Sequence, residues 1–138
     1  MTKENIAFDL ESLALQEEAE LHLINPRDSQ PIYADKAETK PVKIKLYGTA
    51  SDAYRKAVDK MMAKNAKRGK REATPAEARE QSVDFLAALS ISTENLNMNG
   101  APIDTVEGFK ELYSNSKFSW VREQVDAFLG NTESFLSK

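Results

Sequence analysis

The hydrophobic period of this chain changes once, near Gly48, and that change sets its fold class. From Glu17 onward Ala19, Leu21 and Leu23 alternate with Glu18, Glu20 and His22, the pattern of a half-buried strand. Asn25-Pro26-Arg27-Asp28-Ser29 supplies turn chemistry, because proline presets its backbone angle and the Asn and Asp side chains bond locally to the main chain. Gln30 to Asp35 can return as a second strand. After the polar linker Lys36 to Lys40, Val42, Ile44 and Leu46 alternate with Lys43, Lys45 and Tyr47 as a third, which Gly48 ends. Beyond Thr49 the apolar spacing becomes three-and-four, that of helices. The expected fold is α+β: a small N-terminal antiparallel three-stranded sheet over about 17–48, then a bundle of four to five helices over about 50–137 on its apolar face. Residues 17–138 then form a single domain. Residues 1–16, where Ile6, Phe8, Leu10, Leu13 and Leu15 follow neither period, form an arm or a short helix.

The helices have identifiable starts. Ser51 is a candidate cap for a first helix whose apolar face is Tyr54, Ala57, Val58, Met61 and Met62, and whose basic end is expected to fray into a flexible loop over about 64–73. Thr74-Pro75-Ala76-Glu77 places a capping threonine, a first-turn proline and a reciprocal glutamate in register, and Ala78, Ser82, Phe85, Leu86 and Leu89 give the core stripe of the helix they open. Asp104 and Glu107 read as a capping box for a helix bearing Val106, Phe109, Leu112 and Tyr113. A further helix carries Trp120, Val121, Gln124, Val125 and Phe128, with Gly130 placed for a left-handed cap. Thr132 can cap a last turn with Phe135 and Leu136.

Composition narrows the chemistry. There is no cysteine, so disulfides and thiolate metal sites are excluded, and the reading expects a cytosolic chain without a secretory signal in Met1 to Asn5. His22 is the only histidine, sits on the polar phase of a strand as a surface side chain, and has no cysteine to activate. Five scattered glycines make no phosphate loop. No catalysis, cofactor or metal is expected. Charge is uneven: residues 1–24 hold six acids against one base, whereas residues 55–71 hold eight bases against Asp59. An acidic arm on one copy would be attracted to the basic helix of the next, through Lys60, Lys64, Lys67 and Arg68. Nucleic acid is disfavoured, because no aromatic interleaves these bases to stack on a nucleobase.

The Asn99-Gly100 turn, a helix ending Glu111-Leu112-Tyr113, then Trp120-Val121-Arg122-Glu123-Gln124-Val125-Asp126-Ala127-Phe128 and a closing Asn131 to Phe135 form an ordered set. With Pro41 to Gly48 running into Ser51-Asp52-Ala53-Tyr54-Arg55, the set covers well over half the chain. In order and spacing it resembles the tail assembly chaperones of long-tailed, siphovirus-type bacteriophages. Members often carry a tryptophan after the long middle helix, where this chain reads Ile91-Ser92-Thr93-Glu94-Asn95. The resemblance implies a homo-oligomeric, non-enzymatic protein of the host cytoplasm, absent from the mature virion. It would bind and solubilise the tape measure protein and help recruit tail tube subunits. Helical client segments would seat between the Thr74 helix and the C-terminal helices, making Leu86, Leu89, Tyr113, Phe128 and Phe135 the candidate contacts. Two other readings stay open: a head-tail connector or tail completion protein of the virion, and a small nucleic-acid-binding regulator.

Overall fold

A computed structural model describes residues 6–136; the expectation about Met1 to Asn5, and the last two positions of the C-terminal segment, lie outside the described residues. Strand β1 (Glu18–His22) pairs antiparallel with β2 (Lys43–Tyr47), and β2 pairs antiparallel with β3 (Ser90–Glu94), giving a three-stranded sheet in the order β1-β2-β3. Val42, Ile44 and Leu46 are buried while Lys43 and Lys45 face outward, where they pair with Glu20 at 3.4 Å and Glu18 at 3.0 Å. One face is thus wet and the other carries the core, as alternation requires.

The sheet is recruited differently from the expected meander. Gln30 to Asp35 makes isolated bridges, Ile24 with Pro31 and Tyr33 with Pro41, in place of a strand. The prolines at both bridges have no amide to donate to a ladder. The third strand is β3, which follows α2 directly: Ser90 leaves the helix in an extended conformation, and its hydroxyl bonds the Leu86 carbonyl at 2.8 Å. Helix α1 (Asp52–Arg68) and helix α2 (Pro75–Leu89) therefore form an excursion between the central strand β2 and the edge strand β3.

Helix α1 is capped by Ser51, whose Oγ accepts from the Tyr54 amide at 3.1 Å. It does not fray at Lys64; it runs on to Arg68 and ends at Gly69 with φ +71°. Lysine and arginine are good helix formers and suit the negative C-terminal end of the helix dipole. Gln81 also ties this end to α2, donating to the Asn65 side chain at 2.9 Å. The capping box at Thr74 forms as its sequence dictates. Arg71 clasps Glu77 with two bonds of 2.8 and 2.9 Å and holds its carboxyl at about 2, well below the ordinary 4.5. The α2 face is rotated from the expected stripe: Val83, Leu86, Ala87 and Leu89 are buried, whereas Ala78 is exposed.

After β3 a two-residue Asn99-Gly100 turn, with φ of 55° and 78°, joins the short strands β4 (Asn97–Met98) and β5 (Ala101–Pro102). Helix α3 (Val106–Ser114) is capped by Thr105, whose Oγ1 accepts from the Gly108 amide at 3.0 Å, and not by Asp104. Val106, the first residue of the helix, is 52% exposed, and Phe109, Leu112 and Tyr113 form the buried face. Helix α4 (Ser119–Leu129) buries Val121 and Val125. Its Gln124 amide bonds both backbone groups of Ile24, at 2.8 and 2.7 Å, fastening α4 to the end of β1. Gly130 keeps a right-handed conformation, φ −80°, so the left-handed cap is not used. The closing 3₁₀ turn Thr132–Phe135 is capped by Asn131, one residue before the expected Thr132, because the Asn131 side chain accepts from the Glu133 amide at 3.1 Å. One core joins Leu23, Ile44 and Leu46 of the sheet region to Leu86 of α2, Phe109 and Leu112 of α3 and Val125 of α4.

Candidate docking surface

Four of the five apolar residues expected to touch a partner lie inside the protein. Leu86, Leu89, Tyr113 and Phe135 are each no more than 3% exposed. Leu86 and Tyr113 belong to the core that α2 and α3 share, so their stripes fill that core instead of leaving a groove, whereas the Phe135 ring is held against Gly48 and Phe128. Tyr113 is fixed there by a 2.7 Å hydrogen bond with Ser90, and burial pushes its phenol up to about 12. Phe128 is half-buried and meets Phe135 edge-on at 5.3 Å. His22 is likewise not a free surface group, since its Nε2 lies 2.8 Å from the Ile32 carbonyl and its ring stands edge-on to Tyr33.

The open apolar surface lies on the other side of α2. Helix α1 crosses there, tied by Gln81 and by an edge contact between Tyr54 and Phe85 at 5.6 Å, and the start of α3 closes the third side. Between them runs a groove of about 240 Å³ with Ala57, Met61, Phe85, Ala88 and Val106 in its walls. That is below the roughly 300 Å³ at which small-molecule sites begin, and suits one or two side chains. Lysines 60, 64 and 110 stand on its rim. Asp84 lies between two of them, 3.2 Å from Lys64 and 3.5 Å from Lys110, so the rim remains cationic. Of the bases expected to guide self-association, Lys60 and Lys64 share this rim, whereas Lys67 and Arg68 line the adjoining cleft with Arg71. Of the Met61-Met62 pair that the sequence offers, Met61 lines the groove, whereas Met62, 61% exposed, lies outside it.

A second apolar surface is the arm. Ile6 is 94% exposed, Phe8 68%, Leu10 78% and Leu13 54%, although Asp9 caps a formed 3₁₀ turn at Leu10–Leu13. Behind these residues Leu15 bridges Leu136 and the Gln16 amide donates to the Phe135 carbonyl at 2.6 Å.

Among the described residues no group of three or more acidic or histidine side chains is placed to hold a metal ion, and no helix is long and apolar enough to cross a membrane. What the surface offers is apolar contact framed by charge. Comparison with protein-family models, with curated proteins and with solved structures found no match.

Proposed function

We propose that this chain is a tail assembly chaperone of long-tailed bacteriophages. In the host cytoplasm it coats the tape measure protein in many copies, keeps it soluble, helps recruit tail tube subunits and leaves before the virion is complete. The observation that carries the reading is the order and spacing of segments from Pro41 to Phe135 that resemble that family. The geometry is consistent with binding: a shallow apolar groove with a lysine rim takes the apolar stripe of an amphipathic helix, and repetition along one long client lets each contact be weak.

Co-expression tests it. The tape measure protein of the same virus is expected to move from the insoluble to the soluble fraction with this chain and to be recovered with it by affinity capture. If the tape measure protein is equally insoluble with and without this chain, the proposal fails. Finding the chain in purified virions would replace it with a structural role in the particle.

A further inference from the structure

Two surfaces of this molecule are complementary and neither covers the other. The arm offers Ile6, Phe8, Leu10 and Leu13 to solvent, with Asp9 and Glu11 beside them. The groove between α1, α2 and α3 offers apolar walls with a lysine rim. A contiguous set of exposed apolar side chains on a small domain marks a contact surface. The acids of the arm and the lysines of the rim decide which contact it is. Within one copy the arm does not occupy the groove, since Phe8 remains 68% exposed.

We propose that the arm of one copy seats in the groove of a second copy, with Phe8 and Leu10 in the apolar walls and Asp9 and Glu11 against Lys60 and Lys64. Beyond the bridge at Leu15 the arm keeps its 3₁₀ turn at Leu10–Leu13 and presents Phe8 and Leu10 outward, where a neighbour meets them. The contact is heterologous, since arm and groove are different surfaces, so each copy gives one arm and receives another. Such contacts close into rings or grow as open chains. The groove has the volume for one or two side chains, which makes a single contact weak and an assembly dependent on concentration. The inference is independent of the chaperone reading. If that reading also holds, a client helix and a neighbour's arm compete for one groove.

Sedimentation velocity of the full chain over a concentration series tests the arrangement. Larger species are expected to grow with concentration. The arm variant Phe8→Asp/Leu10→Asp and the groove variant Ala88→Glu/Val106→Glu are each expected to sediment as monomers while keeping the parent's circular dichroism. A buried leucine or phenylalanine is worth about ten- to hundredfold in association. Mixed together, the two variants are expected to form a complex of one copy of each, because one intact arm and one intact groove remain. Should the groove variant lose its fold, Lys60→Glu takes its place, with rescue by Asp9→Lys/Glu11→Lys on the partner copy. A parent monomeric at every concentration, an arm variant that assembles like the parent, or folded variants that fail to pair on mixing would each overturn the proposal.

Discussion

The two ends of the described chain carry almost the same local structure and meet opposite fates. Each is a four-residue 3₁₀ turn, Leu10–Leu13 and Thr132–Phe135. Each is capped by an acidic or amide side chain, Asp9 accepting from Glu11 at 3.0 Å and Asn131 from Glu133 at 3.1 Å. They are even neighbours, joined through the bridge between Leu15 and Leu136. Yet Phe135 is 3% exposed and Phe8 is 68% exposed. The difference is not hydrophobicity but the presence of a hollow. Gly48 leaves space for the Phe135 ring, so close that a Cβ there would lie 2.6 Å from a ring carbon, and Phe128 closes the other side. Among the described residues no comparable hollow receives Phe8. An apolar turn with an internal hollow is core; without one it is a contact waiting for another chain.

Substitutions at the two ends should therefore differ sharply. The largest effect expected is from Phe135→Ala, a loss of about 3–5 kcal/mol in urea unfolding, because a buried ring leaves a cavity. Gly48→Ala attacks the same contact from the other side, and overpacking should cost about 1–3 kcal/mol. If Gly48→Ala is neutral, the ring moves freely and the hollow is not what holds it. Asn131→Ala, which removes the cap of the buried turn, should cost about 1 kcal/mol; Asp9→Ala, its counterpart on the exposed turn, should fall within about 0.5 kcal/mol of the parent. Equal losses at both caps would show that the arm contributes to the folded domain. Smallest of all, Phe8→Ala should leave the melting curve of the dilute protein unchanged within about 0.5 kcal/mol.

The sheet's alternation, the Thr74 capping box and the Asn99-Gly100 turn were legible because each is a local rule obeyed locally. Strand β3 was hidden because no turn separates it from α2: Ser90 is both helix cap and strand start, and only pairing with β2 makes Ser90–Glu94 extended. The basic end of α1 reads as a frayed loop by composition, but the ties from Gln81 and Asp84 to Asn65 and Lys64 are tertiary. Apolar stripes show that a helix face is buried, not against what. The five residues read as partner contacts were chosen from such stripes; Leu86 and Tyr113 went into the core shared by α2 and α3, and Phe128 and Phe135 meet each other. The groove depends instead on Val106, left exposed at the start of α3, and on α1 crossing α2, neither of which a stripe foretells.

On the proposed arrangement the arm is uncovered in one copy because its cover is another. A fluorescent reporter at the arm tests this most directly: Phe8→Trp in a Trp120→Phe background makes the arm the only source of tryptophan emission, since Trp120 is the only native tryptophan. The emission is expected to be that of a solvated indole at high dilution and to shift to the blue as protein concentration rises, in step with sedimentation. A solvated spectrum at every concentration would mean that the arm has no such partner, and a blue spectrum independent of concentration would mean that it folds onto its own chain; either contradicts the account.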